Sequence, residues 1–211
     1  MSSSSSSPPY LTFDYIGGTL SGGAADIKFR GIKHVNGKLY CSPYRAPHVL
    51  IHDLSDDSQT TVSVTSLSTS AQKWVDLTVA SDGFIYGNPH GASGYLKIDP
   101  ATDTVSMVGG GSNQLRSGAE YGGVIYSLSY SGSAPLNTVH TLNLATGVRS
   151  GFGFTISRNS GVYLARPDWE AENTTWFGMY DSFWGLTAAD NGKLYGTPNG
   201  AQNILIIDPV A

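Results

Sequence analysis

Residues Asp82 to Pro100, DGFIYGNPHGASGYLKIDP, contain the pattern that decides the fold of this chain. The Asp-Gly pair suits a two-residue hairpin turn, whose central positions need positive φ. The segment FIY then has the alternation of a strand, and a loop rich in Gly and Pro follows. YLKI has the nearly continuous apolar character of a strand covered on both faces, and Asp-Pro ends it as a turn. The stretch therefore predicts two antiparallel strands that follow a hairpin.

The same plan occurs three more times, starting at Asn36 (NGKLYCSPYRAPHVLIHDL), Gly122 (GGVIYSLSYSGSAPLNTVHTLNL) and Asn191 (NGKLYGTPNGAQNILIIDP). A fourth strand follows the plan, as in TVSMVGG at 104–110. Another short strand precedes each hairpin. In three units it opens with a bulky residue: Phe29, Trp74, or Phe183 with Trp184. Each unit is thus a four-stranded antiparallel meander.

Such repeats bury their apolar faces by stacking on one another, and radial stacking of four-stranded sheets is a β-propeller. The hairpin glycines Gly37, Gly83, Gly123 and Gly192 are separated by 46, 40 and 69 residues. The long third gap indicates an insertion at about 150–182 in a ring of four blades. A degenerate fifth blade within that gap is the alternative.

The last unit has three strands and lacks its fourth. The segment TFDYIGG at 12–18 matches TVSMVGG at 104–110 in pattern. We therefore expect the N-terminal strand to pair with 205–207 and to close the ring, which removes an exposed sheet edge. Residues 12–211 then form a single propeller domain, preceded by a flexible Ser/Pro leader at 1–11.

The composition limits the classes of function. The formal net charge is −4 and no basic stripe or tail is present, which argues against a nucleic-acid partner. The single cysteine, Cys41, rules out an internal disulfide. No apolar stretch predicts membrane insertion, and the N-terminus has no secretion signal. The sequence leaves the localisation unknown, with a virion or extracellular surface as one candidate.

The phrases NGKLYGTP and IDPATDTV resemble the repeat of kelch-like and YVTN-like β-propellers, in which a Gly-rich hairpin precedes a strand that ends in Asp-Pro-x-Thr. The resemblance covers about residues 12–150 and 183–211. It departs in the third unit and in the insertion. It implies a propeller scaffold of the kind that commonly binds partners or ligands.

Catalytic and metal-binding motifs are absent from the sequence. Asp99 and Asp208 occupy equivalent turns, where a short carboxylate usually caps backbone N–H groups. His48 and His52 are four residues apart on a predicted strand, too far for one metal ion. We therefore expect no catalytic residue, no metal and no cofactor, and we interpret Cys41 as a small buried residue.

The innermost strands supply the remaining polar candidates. Lys33 or His34, Asp76 or Thr78, and Glu120 are candidates to line a central channel, although the period of two does not show which ones face the axis. A hydrolase or lyase site at the channel mouth, using Asp76, Glu120 or His34, is a minor alternative.

Two regions are candidates for binding a ligand or partner. The insertion concentrates aromatic and arginine side chains, which favour binding hot spots, although they also suit a cover over a neighbouring blade. Tyr44, His90 and Asn199 occupy one equivalent loop position in three units. The candidate binding residues are Trp169, Trp176, Phe177, Tyr180, Arg166, Tyr44, His90 and Asn199.

We therefore predict a non-enzymatic propeller that recognises a protein or glycan surface, with a viral or phage appendage or capsid surface as one setting. The alternative is a structural adaptor or decoration subunit of a larger assembly.

Overall fold

The computed structural model describes residues 27–111, 114–129, 138–153, 183–198 and 204–209. These residues form fifteen β-strands in four antiparallel sheets, and no helix occurs among them. This arrangement confirms the predicted all-β fold of four repeated sheets. In the same ranges there is no long apolar helix of the kind that crosses a membrane.

Each sheet follows the meander order predicted from the repeat. The first two blades contain β1 Phe29–Val35, β2 Lys38–Pro43, β3 His48–Asp53, β4 Gln59–Ser63, β5 Trp74–Val79, β6 Ile85–Pro89, β7 Tyr95–Asp99 and β8 Thr104–Val108. The last two contain β9 Leu115–Tyr121, β10 Val124–Ser129, β11 Thr138–Asn143, β12 Arg149–Gly153, β13 Phe183–Ala188, β14 Leu194–Pro198 and β15 Leu205–Ile207.

The hairpins between the first two strands of each blade are of two kinds. Asn36 and Gly37 both have positive φ, at 50° and 78°, as the predicted two-residue turn requires. The prediction is wrong for the second and fourth blades.

These two blades have three-residue loops, in which Ala80 donates its N–H to the Phe84 carbonyl at 3.0 Å and Ala189 donates its N–H to the Lys193 carbonyl at 2.9 Å. Within these loops only Gly83 and Gly192 have positive φ, at 86° and 81°. A type I turn followed by one left-handed glycine needs no special conformation at the preceding residue.

Every inner strand contains an irregularity at the same place. In blade one, Phe29 pairs with Pro43 but Ile32 pairs with Cys41, so the inner strand holds one residue more than its partner. The shift recurs in β5, β9 and β13. The repeated bulge bends each inner strand near its start. It also interrupts the regular alternation of side chains between the two faces of the sheet.

Apolar clusters join neighbouring blades. The largest lies between blades one and two and includes Tyr40, Ile51, Trp74 and Leu96, all almost fully buried. Trp74 also donates its indole N–H to the Gly94 carbonyl at 2.9 Å. Similar clusters join blades two and three, and blades three and four. The inner strands consequently pack in the order β1, β5, β9, β13.

The predicted ring closure and the predicted insertion both involve residues that the structure does not describe. The last sheet has three described strands, as the sequence indicates. The closing segment 12–18 lies outside the described residues, so ring closure stays a prediction. The insertion was expected to start near 150, but 150–153 belong to β12. The remainder of the insertion, where the fifth-blade alternative would lie, is also outside the described residues.

Candidate functional site

The two ends of the strands carry opposite charge. All four inner strands begin on one side of the propeller, and the loops that join β2 to β3 and β6 to β7 lie on that same side. We call this side the basic rim and define it by five cations and three rings. These are Lys28, Arg30, Arg45, Lys73 and Arg116, with Tyr44, His90 and Trp184.

All described acidic residues except Asp76 gather at the opposite end, at the ends of the inner and third strands or in the turns that follow them. They are Asp53, Asp56, Asp57, Asp82, Asp99, Asp103, Glu120, Asp190 and Asp208. As predicted, Asp99 caps a turn, accepting the Ala101 N–H at 2.9 Å and the Thr102 hydroxyl at 2.9 Å. Asp208 instead forms an ion pair with Lys193 at 2.9 Å. Among the described residues, cations thus outnumber acids at the basic rim, and acids outnumber cations at the opposite end.

Backbone hydrogen bonds fold the first rim loop inward. The Lys28 carbonyl accepts the N–H groups of Tyr44, Arg45 and Ala46 at 2.9, 3.1 and 3.1 Å. Three donors on one carbonyl draw the loop over the start of the inner strand. Tyr44 is therefore buried, with 3% of its surface exposed, although its position in the sequence suggested an exposed loop.

The second blade repeats this arrangement. The Lys73 carbonyl accepts the N–H groups of His90, Gly91 and Ala92 at 2.8, 3.2 and 3.3 Å. Lys73 also donates its own N–H to the Tyr44 carbonyl at 2.7 Å, which ties the two loops together. His90 is held at 8% exposure.

Arg30, Tyr44 and His90 form a stack across the first two blades. The Arg30 Cζ lies 4.1 Å from the centroid of the Tyr44 ring, and the Tyr44 and His90 centroids are 5.5 Å apart. Burial, together with the charges of Arg30 and Arg116, lowers the pKa of the His90 imidazole. The imidazole is therefore neutral near pH 7.

A second arginine–aromatic pair joins blades three and four. The Arg116 Cζ lies 4.1 Å from the Trp184 ring centroid, and 52% of the Trp184 surface is exposed. A guanidinium above an indole is held by cation–π attraction. Arg30, Arg116 and Trp184 all follow the first residue of an inner strand, so the repeated bulge presents them at the rim.

The third residue of each inner strand lies in the bulge, and its size controls how closely neighbouring inner strands approach. A Cβ on Gly31 would lie 2.9 Å from the Asp76 Cα, so glycine is needed there. Asp76 accepts the Leu77 N–H at 2.8 Å and the Ser117 hydroxyl at 3.2 Å. Ser117 in turn accepts the Leu186 N–H at 3.2 Å. This network connects three blades beneath the rim.

The channel candidates are not brought into one site. Asp76 lies in the bulge near the basic rim. Glu120 lies at the acidic end, where its Oε1 accepts the Gly123 N–H at 2.7 Å. His34 lies near the end of β1, and Thr78 donates its hydroxyl to the Gly118 carbonyl at 3.0 Å. Asp76, Glu120 and His34 therefore do not form a shared catalytic arrangement.

The predicted binding residues are only partly described. Tyr44 and His90 come together at the basic rim, and their role in binding stays a prediction. The others lie outside the described residues: Arg166, Trp169, Trp176, Phe177, Tyr180 and Asn199. Sequence reasoning missed Arg30, Arg116 and Trp184 as a group. The available signal was their shared position, one residue after the start of an inner strand.

Metal-binding side chains do not cluster within the described ranges, where no group of three His, Cys, Asp or Glu residues could hold an ion. Cys41, predicted to be buried, is partly exposed, and burial raises the pKa of its thiol.

No protein-family model matches the chain, and no curated protein matches it in sequence. Solved structures match its fold. Virginiamycin B lyase from Staphylococcus aureus superposes with a TM-score of 0.62 at 18% identity, covering 89% of this chain and 55% of the lyase chain. A catalytically inactive variant of that lyase, with quinupristin, gives 0.63 at 17% identity, covering 90% of this chain and 56% of its own. The computationally designed Ika4 protein gives 0.53 at 10% identity, covering 90% and 95%.

These matches support a β-propeller and single out neither kelch-like nor YVTN-like proteins. The chain spans slightly more than half the length of the lyases, and at this identity the likeness shows the fold alone. It nevertheless corrects the prediction that the chain is not an enzyme, because lyases share this fold. That prediction relied on missing sequence motifs, whereas loops of separate blades can assemble a site without one.

Proposed function

We propose that this chain is a recognition propeller that binds its ligand at the basic rim. The observation that carries the proposal is the pairing of two arginines with aromatic rings at equivalent bulges of the inner strands. Arginine and aromatic residues are enriched at binding hot spots. Trp184, half exposed beside Arg116, offers a large apolar surface at low entropic cost.

The partner is a protein or glycan surface, presented to the chain alone or within a larger assembly such as a viral or phage appendage. A flat indole suits the face of a sugar ring or an apolar side chain equally well. The order of the rim supports recognition, because backbone hydrogen bonds fix both rim loops before any ligand arrives.

The test compares two exposed apolar residues at opposite ends of the molecule. The full chain, Trp184→Ala and Val148→Ala are screened on a glycan array and for proteins that co-purify. Val148 is 59% exposed in the turn before β12, so it matches Trp184 in exposure but not in location. We expect binding to be lost in Trp184→Ala and kept in Val148→Ala. Equal binding by both variants would contradict the proposal.

A second candidate function is an elimination reaction at the same rim. His90 favours it, because its pKa is lowered and the charges of Arg30 and Arg116 act on it. A neutral imidazole can remove a proton beside a carbonyl while a guanidinium stabilises the negative charge that develops on oxygen. A carbon–carbon double bond then forms as the bond to the leaving oxygen breaks, and the imidazolium returns its proton to that oxygen. The lyase fold shared with the virginiamycin B lyases makes this chemistry worth testing.

The assay for elimination uses quinupristin, the compound present in one of the matched structures. Its conversion by the full chain and by His90→Ala is followed by mass spectrometry. Elimination leaves the total mass unchanged, as a single isomer when the broken bond lies in a ring, so the product is recognised by its chromatographic retention; hydrolysis adds one water. Conversion without added water that disappears in His90→Ala would support the lyase. Intact quinupristin would remove this substrate class.

A further inference from the structure

We propose that two copies of this chain join into a single closed ring, with blade four of each copy packed against blade one of the other. The inference is independent of the proposed function, because it concerns the two flanks of the row of blades and not the basic rim. Each described inner strand packs against the next, from β1 to β13, but β13 does not pack against β1 in this way. The described blades therefore form a row with two open flanks.

The flank of blade four exposes a position that is buried in blade one. Tyr40 pairs with Ile51 in blade one and Tyr195 pairs with Ile206 in blade four, so the two isoleucines are equivalent. Ile51 is only 2% exposed because it packs in the cluster between blades one and two, whereas Ile206 is 57% exposed. Blade four thus presents outwards the face that blade one buries against its neighbour.

The flank of blade one exposes the other half of the same interface. Ile32, Leu77 and Leu186 are equivalent, because each is the first residue of its inner strand to pair after the bulge. Leu77 and Leu186 are 0% and 8% exposed, since each packs against the preceding blade, whereas Ile32 is 56% exposed. The two flanks are therefore complementary, and joining them removes Ile32 and Ile206 from water.

A polar contact between blades one and two shows how the flanks are matched. Asp103, in a turn of blade two, lies 2.6 Å from the Lys38 Nζ and accepts the Tyr40 hydroxyl at 2.7 Å. Lys38 and Tyr40 belong to the segment NGKLY, and blade four repeats that segment with Lys193 and Tyr195. Blade four therefore carries the lysine and the tyrosine that this junction takes from the preceding blade.

Blade one carries the matching carboxylate. Asp57 and Asp103 each lie four residues after the aspartate that ends a third strand, and both have positive φ, at 58° and 54°. The Asp57 side chain is 75% exposed, with its Oδ1 3.4 Å from the His52 Nε2. Asp57 is thus placed to bind Lys193 and Tyr195 of a second copy, as Asp103 binds the equivalent residues of blade one.

The present partners of Lys193 and Tyr195 are compatible with this contact. The Lys193 ammonium pairs with Asp208 at 2.9 Å, and an ammonium has three donors. The Tyr195 hydroxyl accepts a hydrogen bond from the Asn191 side chain at 2.7 Å, which leaves its own O–H able to donate to a carboxylate. Neither contact has to break for Asp57 to bind.

The junction of blades two and three supports the matching by contrast. There Phe84 takes the position of the lysine, and Gly147, with a φ of 68°, takes the position of the aspartate. The lysine and the carboxylate are thus absent together from that junction and present together between blades one and two. Lys193 in blade four and Asp57 in blade one form the same pair when blade four meets blade one.

The number of copies follows from the head-to-tail contact. Such a contact either closes into a ring or grows into a filament. Since each copy supplies four blades, two copies give eight, the upper end of the range of roughly four to eight blades in propellers. A third copy exceeds that range, so the partner is one second copy.

The experiment measures the mass of the full chain by analytical ultracentrifugation across a wide range of concentration. We expect a species of two chains. Ile206→Asp and Ile32→Asp should each give a monomer, because every junction contains one of each isoleucine. Val148→Asp changes a residue that is 59% exposed in blade three, away from both flanks, and this control should stay dimeric.

A mixture of the two monomeric variants tests the head-to-tail arrangement. In a mixed pair, one junction carries both aspartates and the other carries neither. The equimolar mixture of Ile206→Asp and Ile32→Asp should therefore recover dimers.

Charge reversal tests the polar contact. Lys193→Glu or Asp57→Lys alone should raise the dissociation constant of the dimer about tenfold, because each places like charges at both junctions. The two substitutions together in one chain should restore tight pairing, since each junction then holds opposite charges again.

Each contrary result overturns the inference. A monomer at every concentration shows that no second copy covers the flanks, as it would if blade four closed onto blade one within a single chain. A dimer that survives Ile206→Asp and Ile32→Asp, or is lost equally in Val148→Asp, uses another surface. Failure of the mixture to recover dimers shows that like flanks join, and an assembly larger than two chains shows a filament. Circular dichroism verifies that each variant is folded, as expected for substitutions at exposed positions.

Discussion

The rings of Tyr44 and His90 occupy the same position in successive blades, and their centroids lie 5.5 Å apart with 46° between the planes. The contact exists because the carbonyls of Lys28 and Lys73 each fold a rim loop inward. Repetition of one local structure thus brings two residues that are distant in the chain into contact. The basic rim is consequently part of the packed structure, and its residues contribute to stability as well as to any binding.

Removal of the Tyr44 ring should destabilise the protein and expose His90. Tyr44→Ala should lower the free energy of unfolding by about 3 kcal/mol, a typical cost for a large buried ring. The pKa of His90 should rise, because renewed contact with water lessens the burial that lowers it. Urea unfolding and an NMR titration of the His90 ring measure the two effects. Tyr44→Phe keeps the ring and should change neither by much; an equal loss in both variants would show that the hydroxyl is what matters.

The structure also predicts a loss of stability in mild acid. Burial, and then the charge of Arg149, lowers the pKa of His140 to about 4, and burial lowers the pKa of His48 as well. The unfolded chain binds protons near pH 6.5, before the folded protein does. Stability is therefore fully present above about pH 6.5 and is lost as the pH falls towards 4, by roughly 3 kcal/mol at most for His140.

Thermal unfolding between pH 4 and 7.5 measures this dependence. His140→Gln should be less stable at neutral pH and should lose less stability across the window. An equally steep loss in that variant would place the acid sensitivity in other groups.

The repeat was predictable because turns and strands leave strong local signals. Asn36 and Gly37 adopt the expected positive φ, and the apolar runs form the buried third strands. The bulge of the inner strands was not predictable, because the alternation of side chains does not show where one strand gains a residue relative to its partner. Arg116 and Trp184 were missed for that reason: their meeting depends on the bulge and on packing between blades.

The burial of the rim loops could not be predicted from the sequence either. The loop position of Tyr44 and His90 was identified correctly, yet both lie beneath the surface. A loop rich in Gly, Pro and polar residues predicts exposure. Whether it folds inward depends on a carbonyl supplied by the residue before the inner strand, which no local pattern indicates.

Glycine at position 31 should be required for the approach of the first two blades. In Gly31→Ala the new Cβ would lie 2.9 Å from the Asp76 Cα, a backbone atom that cannot move alone. We expect a loss of about 1–3 kcal/mol, the usual cost of overpacking. Gly110→Ala is the control, since its nearest neighbour is the Ser93 carbonyl oxygen at 3.9 Å. Urea unfolding of the two variants decides the point: similar stability would mean that the inner strands can separate without cost.

The contact of Lys38 and Tyr40 with Asp103 should couple the first two blades at the acidic end. Asp103 Oδ2 lies 2.6 Å from the Lys38 Nζ, and Oδ1 accepts the Tyr40 hydroxyl at 2.7 Å. Because the Tyr40 ring is buried, we expect its bond to outweigh the partly exposed ion pair, which water and salt screen. A double-mutant cycle with Tyr40→Phe and Asp103→Asn should give a coupling energy of about 1 kcal/mol, whereas the cycle with Lys38→Gln should give less. Both cycles are measured by urea unfolding, and a larger coupling for Lys38 would reverse this order and make the ion pair the main link.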